Sequence, residues 1–135
     1  MVCYKCGAET AVLNSRAQKR ANAVWRRRRC VLCDTLVTTT ESIDYAKTLL
    51  VQSTNQKQFA PFWRDRLLLS LYKSLGHRPQ ALQDAGGLCT TITAKLAPLA
   101  VGGILPASRI VEVTLVALNR FDKLAAQHYQ AFHKQ

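Results

Sequence analysis

The chain has few acidic residues. Its 135 residues include 8 Asp and Glu against 19 Lys and Arg. Such scattered acids give no basis for a pair of catalytic carboxylates, and no Ser-His-Asp arrangement can be argued either. We therefore expect that the protein is not an enzyme.

Long apolar runs are also lacking. No stretch of about 18 uncharged apolar residues could form a transmembrane helix, and Cys3 lies where a signal peptide would need an apolar segment. These absences predict a soluble, cytoplasmic protein. In that reducing compartment disulfides are rare, so paired cysteines indicate metal binding.

Four of the five cysteines form two C-x-x-C pairs, Cys3 with Cys6 and Cys30 with Cys33. Each pair offers two thiolates from one turn, and two such turns close a tetrahedral zinc site with no open position. The sequence thus predicts structural Zn²⁺ rather than catalytic zinc. A redox dithiol is the alternative, but a thioredoxin-like C-x-x-C would open a helix in a βαβ unit, and that pattern is missing here.

Three short segments rich in β-branched or aromatic residues accompany the cysteines, at Thr10 to Asn14, Ala23 to Arg29 and Thr35 to Glu41. Such strands bury too little surface to fold alone, and structural zinc supplies about 10 kcal/mol or more. Gly7 is suited to a turn that needs a positive φ. We therefore predict a three-stranded zinc ribbon over residues 1–46.

Basic residues are concentrated inside this predicted ribbon, in a chain of net charge +11. The segment 16–29 contains no acid and seven cations: Arg16, Lys19, Arg20, Arg26, Arg27, Arg28 and Arg29. Guanidinium groups bind phosphates and guanine edges, so we predict that these residues bind DNA. Alternatives are a solubilising face, or a surface for an acidic protein partner. Trp25 is expected in the ribbon core rather than as a base-stacking platform.

The pattern of residues 47–135 predicts a second, mainly helical domain. With the strands of the ribbon before it, the predicted fold class is α+β. A hairpin is expected over 48–58, and helices over Trp63 to Leu75 and Leu82 to Leu96, the latter kinked at Gly86-Gly87. Ser108 is the expected N-cap of a third helix that ends near residue 118, and an apolar stripe over 121–132 predicts a fourth. Cys89 is expected to be a buried, apolar thiol.

A set of motifs in fixed order strongly resembles the NrdR family, bacterial repressors of ribonucleotide reductase genes. The ribbon carries Asn14-Ser-Arg16, Arg26 to Cys30 and Thr38-Thr-Thr-Glu41 between and after its cysteines. Further along, Arg78-Pro79 and Pro106-x-Ser108-Arg109 are similar to the family's ATP-cone domain. The resemblance covers nearly the whole chain.

The resemblance implies a ribbon that binds paired operator boxes in double-stranded DNA, and a cone that binds ATP or dATP and changes homo-oligomeric state, at least a dimer. One departure concerns the cone. The family's Val-x-Lys-Arg-Asp-Gly corresponds here to Leu50-Val-Gln-Ser-Thr-Asn55, which lacks the basic residues that meet phosphates. The candidate nucleotide-binding residues are therefore Val51, Gln52, Lys57, Arg64 and Arg66.

The function expected from these inferences is zinc-dependent transcriptional repression of ribonucleotide reductase genes, regulated by nucleotide-dependent oligomerisation. Three alternatives stay open at this point. The cone has lost nucleotide binding and serves only for assembly, or the ribbon is a protein-interaction module, or the cone binds the reductase enzyme directly.

Overall fold

The computed structural model describes residues 1–55 and 57–133, which pack as two compact units. The first unit is Met1–Ile43 and the second begins at Asp44. The predicted boundary after residue 46 lies inside the first helix of the second unit, Tyr45–Thr48. Each unit has its own architecture, and the α+β class is confirmed.

The first unit is a three-stranded antiparallel sheet with the order β1-β2-β3. Its strands are β1 (Thr10–Gln18), β2 (Ala23–Cys30) and β3 (Leu36–Ser42). β1 runs four residues beyond its predicted end at Asn14, because Ser15 to Gln18 pair with the first half of β2. A register shift between Val12 and Asn14 marks a bulge in β1.

Very few side chains of this sheet are buried. The buried apolar residues of the first unit are Cys3, Ala23 and Cys30, whereas β1 is exposed along nearly its whole length. The prediction that Trp25 forms the ribbon core was wrong. Trp25 is half-buried, with the Arg16 guanidinium 6.0 Å from its ring centre. A sheet this thin has no second layer to cover an indole ring, so a cation covers it.

The second unit combines a small sheet with helices. Its elements are α1 (Tyr45–Thr48), β4 (Leu50–Gln52), β5 (Phe59–Pro61), α2 (Arg64–Ser74), α3 (Ala81–Leu96), a 3₁₀ turn (Ala97–Leu99), β6 (Ile104–Pro106), α4 (Ala107–Phe121) and α5 (Lys123–Phe132). The predicted hairpin is β4 with β5. The parallel pairing of β4 with β6 was missed, because β6 is only three residues long and far along the chain.

Two helices differ in detail from the prediction. α3 continues through Gly86 and Gly87 without interruption, and the Thr90 and Thr91 hydroxyls donate to the two glycine carbonyls, each at 3.1 Å. α4 begins at Ala107, one residue before Ser108, and Pro106 is its N-cap. Ser108 is therefore not the cap, because the chain turns into the helix directly where β6 ends.

The core of the second unit lies between its helices and the small sheet. It includes Phe62 from the turn before α2, Leu71 from α2, Ile92 from α3, Leu118 from α4 and Tyr129 from α5. Cys89 is fully buried in this core, as predicted, and its burial raises the pKa of the thiol.

A charged cluster joins the loop between α2 and α3 to the junction of α4 with α5. Arg78 donates to Asp84 at 2.8 Å and to Asp122 at 3.0 Å, and His77 contacts the same Asp122 oxygen at 2.9 Å. The other Asp122 oxygen accepts from the Ala125 amide at 3.0 Å and caps α5. The amide of Ala125, then His77 and Arg78, lowers the pKa of Asp122 well below its ordinary value.

Candidate metal centre and basic surface

The two C-x-x-C turns of the first unit have the same local structure. The amides of Gly7 and Asp34 donate to the carbonyls of Cys3 and Cys30, at 2.9 and 3.2 Å. Gly7 and Asp34 each follow the second cysteine of a pair and each have a positive φ, +76° and +60°. The prediction for Gly7 is confirmed, and aspartate is among the few other residue types that adopt this conformation readily.

Backbone amides also point at the first sulfur of each pair. The amide of Lys5 donates to Cys3 Sγ at 3.4 Å, and that of Leu32 donates to Cys30 Sγ at 3.5 Å. Such donors stabilise a thiolate more than a thiol, because they favour the charged form. Amide donors of this kind suit sulfur atoms that bind a metal as thiolates.

The four sulfur atoms lie within 4.8 Å of one another, with 3.8 Å between Cys3 and Cys33 and 3.4 Å between Cys6 and Cys30. A tetrahedron with zinc–sulfur bonds of about 2.3 Å places its sulfurs about 3.8 Å apart. The donor set and its spacing thus fit Zn²⁺. Cys3 and Cys30 are buried and Cys6 is exposed, so the cluster lies at the edge of the unit.

The protonation of these thiols differs across the cluster. The hydroxyl of Thr35, 3.1 Å from Cys33 Sγ, together with its backbone amide lowers the pKa of Cys33 to about 6. Amides of Cys6 and Lys5 lower the pKa of Cys3. The pKa of Cys6 is raised to about 12 despite the amide of Ala8, because of the neighbouring Cys30 thiol and burial. Thr35 was predicted as the start of a strand and not as part of the metal site, although its position two residues after Cys33 could have indicated a contact with the sulfur.

Alternation along the strands divides the arginines between two faces of the sheet. The register pairs Arg16 with Trp25, and Asn14 and Thr38 with Arg27. We call this side the Trp25 face, and its residues are Asn14, Arg16, Trp25, Arg27, Arg29, Thr38 and Thr40. It contains three arginines and no acid. Arg27 donates to the Thr38 hydroxyl at 2.8 Å, which orients its guanidinium.

The opposite side carries the other two arginines of β2. We call it the Val24 face, and its residues are Val12, Ser15, Ala17, Val24, Arg26, Arg28, Val37, Thr39 and Glu41. Arg26 forms an ion pair with Glu41 at 2.8 Å, and Arg28 donates to the Thr39 hydroxyl at 3.4 Å. Lys19 and Arg20 are exposed in the turn between β1 and β2. The seven cations of the predicted DNA-binding set thus lie on both faces of the sheet and in the turn, and the pairing of Arg26 with Glu41 was missed.

The second unit has a cavity of about 220 Å³ between β4, α2, α4 and α5. Two candidate nucleotide-binding residues, Val51 and Arg66, line it. Phe62, Trp63 and Tyr129 also line it, and sequence reasoning missed them because the cavity joins elements far apart in the chain.

The other three candidates lie outside the lining of this cavity. Arg64 donates to the Thr90 hydroxyl of α3 at 3.1 Å, and Lys57 is exposed in the loop between β4 and β5. Gln52 is half-buried at the end of β4. The structure thus brings together Val51 and Arg66 from the predicted set.

Comparison with known proteins agrees with this architecture. Residues 1–41 match the family model described as the N-terminal domain of transcriptional repressor NrdR-like proteins. The transcriptional repressor NrdR of Rhodospirillum centenum is 31% identical over 137 residues, which cover 99% of this chain and 86% of that protein. This chain belongs to the NrdR family. Other NrdR repressors are similar: that of Bordetella avium is 32% identical, with 99% and 82% covered, and that of Symbiobacterium thermophilum 29% identical, with 100% and 88% covered.

Membership of the NrdR family accounts for both units, because the similarity to these repressors extends past the ribbon through the whole chain. The relatives are named as transcriptional repressors rather than as enzymes. Among the described residues, none of the helices is long and apolar enough to cross a membrane.

Proposed function

We propose that this chain is a cytoplasmic, zinc-dependent repressor that binds operator DNA of ribonucleotide reductase genes, and that ATP or dATP controls its oligomeric state through the second unit. The observation that supports the DNA-binding part best is the Trp25 face. It gathers Arg16, Arg27 and Arg29 on one side of a thin sheet, without a neutralising acid on that side.

The chemistry of this face suits a nucleic acid. Arginine donates two parallel hydrogen bonds to a phosphate or to the O6 and N7 atoms of guanine. Arg27 is oriented by Thr38, and Arg16 lies over the Trp25 ring, so part of their conformational entropy is already lost before DNA binds. When bound, zinc would fix the two C-x-x-C turns, and so the segment before β1 and the end of β2, the strands on which Arg16 and Arg27 lie.

A single ribbon covers too little DNA for selectivity within a genome, where competing sites are numerous. We therefore propose that at least two copies bind paired operator boxes. The second unit would assemble the copies and set the spacing between their ribbons. Its cavity, lined by Val51 and Arg66, is the proposed position of the nucleotide effector.

Binding to DNA is tested with fluorescent duplexes from the promoters of ribonucleotide reductase genes in the source organism, with a shuffled duplex of the same length as control. We expect zinc-loaded protein to bind the promoter duplex at least about a thousandfold more tightly. Equal affinity for both duplexes would contradict operator recognition, and no binding to either would favour the protein-interaction alternative.

The effector is tested separately, by light scattering of the zinc-loaded protein with and without ATP or dATP. A change in mass with either nucleotide supports the switch. An unchanged mass at millimolar nucleotide, with operator binding intact, favours the alternative in which the second unit serves only for assembly. The uncharged stretch Gln52 to Asn55 is the observation that keeps this alternative open.

A further inference from the structure

The cavity of the second unit is mostly apolar. Phe62 and Tyr129 are each 2% exposed at its wall, and Trp63 is half-exposed beside it. Leu67 and Ile110 add aliphatic surface. The Tyr129 ring is already stacked on His133, with 4.0 Å between the ring centres, so Trp63 is the aromatic wall that offers an open face. Base stacking on an aromatic side chain contributes about 1–3 kcal/mol per base.

Charge is sparse at the same place. Arg66 is the arginine that lines the cavity, and its side chain is exposed. Two neighbouring arginines are already engaged, Arg64 with the Thr90 hydroxyl and Arg109 with Glu112 at 3.1 Å. Ser53 to Asn55, which follow β4 directly, carry no charge. A triphosphate would therefore meet exposed cations, Arg66 and the Lys57 of the loop after β4. Interactions between exposed charges are weak.

The size of the cavity limits how much of a ligand it can enclose. At about 220 Å³ it is smaller than the roughly 300–1,000 Å³ of pockets that enclose a whole drug-sized ligand. Only part of a nucleotide fits inside it, and apolar walls favour the base over the phosphates. The phosphates would then lie outside, in water.

We propose that this cavity recognises a nucleoside through its base and sugar, and that the phosphates add little to the affinity. The proposal rests on the proposed effector site, and it specifies the ligand class: adenosine, AMP and ATP bind alike. It makes the second unit a detector of the base and sugar rather than of the triphosphate.

The test uses the full-length, zinc-loaded protein with Trp25→Phe, which leaves Trp63 as the sole tryptophan reporter. Adenosine, AMP, ATP and dATP are titrated with magnesium while Trp63 fluorescence is followed, and calorimetry gives the dissociation constants. We expect values for adenosine, AMP and ATP within about tenfold of one another, and a change in Trp63 emission for each.

Two variants locate the ligand. Trp63→Leu should weaken all four ligands by about tenfold, because a stacking surface is lost. Arg66→Gln should weaken ATP by no more than about fivefold and leave adenosine unchanged, because the charge is exposed. Phe59→Leu is the matched control, since Phe59 is 51% exposed in the same unit and does not line the cavity. Circular dichroism verifies that each variant is folded.

Three results would overturn the proposal. A preference for ATP over adenosine greater than about a hundredfold would show a phosphate site, and would leave the nucleotide switch standing. Binding that neither changes Trp63 emission nor responds to Trp63→Leu would place the ligand elsewhere. Absence of binding by all four ligands at millimolar concentration would remove the effector site, while DNA binding by the protein with Trp25 intact would report separately on the ribbon.

Discussion

The ribbon and the second unit are stabilised in different ways. In the ribbon the fully buried side chains are thiols, Cys3 and Cys30, and the strands expose both faces. In the second unit aliphatic and aromatic residues from four helices form the core, among them Leu71, Ile92, Leu118 and Tyr129. A sheet that presents arginines on its surface cannot also bury a large apolar face. The ribbon therefore needs a metal, whereas the second unit does not.

The same difference explains where the cations lie. Within the ribbon, Arg16 covers an indole ring and Arg26 to Arg29 occupy the central strand. In the second unit Arg78 is held by two carboxylates and has a raised pKa because of Asp84 and Asp122. Among the described residues of the first unit, Arg26 is the arginine in an ion pair, with Glu41, whereas the second unit uses Arg78 to join its own loops.

Removal of zinc should have the largest effect of these changes, and it should affect the ribbon but not the second unit. We expect a chelator, or Cys6→Ser, to unfold the ribbon and abolish DNA binding, because structural zinc contributes about 10–16 kcal/mol. The helical circular dichroism signal of the second unit should persist. Cys89→Ala is the control, and it should leave the zinc content at one ion per chain. Retention of DNA binding without metal would contradict the structural role of zinc.

A change in the apolar core should affect the second unit alone. Leu71→Ala removes a fully buried side chain, and we expect a loss of about 2–5 kcal/mol in the free energy of unfolding of the helices. Leu69→Ala on the same helix, where Leu69 is 57% exposed, should cost less than about 0.5 kcal/mol. Denaturation followed by circular dichroism measures the free energy of unfolding of both variants. Equal losses would contradict the burial of Leu71 and the exposure of Leu69 on α2.

The Asp122 cluster predicts a smaller, pH-dependent effect. Its lowered pKa means that the carboxylate stabilises the fold above the ordinary value of about 4, and that this contribution is lost as pH falls through the lower, folded value. Asp122→Asn should therefore lower the Tm by about 5 °C near pH 7, with a difference that shrinks in acid. A Tm difference that stays constant at every pH would contradict the role of the charge.

The smallest expected effect concerns the orientation of one arginine. Thr38→Val removes the hydroxyl that holds Arg27 and keeps the β-branched shape. We expect DNA affinity to fall by about fivefold, the value of one hydrogen bond. Thr39→Val is the control on the opposite face, and it should leave the affinity within about twofold. A larger effect from Thr39 would mean that the Val24 face contacts the DNA.

Local patterns predicted most of the fold. The C-x-x-C pairs and β-branched segments gave the ribbon, and helical periodicity gave α2, α3 and α5 to within a few residues. Predictions failed where the structure depends on contacts between residues far apart in the chain. The pairing of β4 with β6 joins residues about fifty positions apart, and Trp25 is half-buried because the ribbon has no second layer.

The functional sites, too, could be predicted where they depend on local spacing and not where they depend on contacts between distant residues. Four cysteines at regular spacing indicated a metal site, and the sulfur distances fit it. The division of the arginines between two faces follows from alternation along one strand. Their partners across the sheet, Thr38 and Glu41 among them, depend on the pairing with β3, which one strand alone does not reveal. The cavity of the second unit combines side chains from four elements, and the candidates inferred from the resemblance to the NrdR family include Val51 and Arg66 of its walls.

The most direct test of the account compares the two faces of β2 at equal charge. Arg27→Gln with Arg29→Gln changes the Trp25 face, and Arg26→Gln with Arg28→Gln changes the Val24 face by the same amount. Operator affinity is measured for both proteins between about 50 and 200 mM salt, where each lost phosphate contact reduces the slope of log affinity against log salt by about 0.9. The account predicts a loss of more than about a hundredfold and a shallower slope for the first protein, with less than about fivefold for the second. Equal losses, or a greater loss for the second protein, would contradict it.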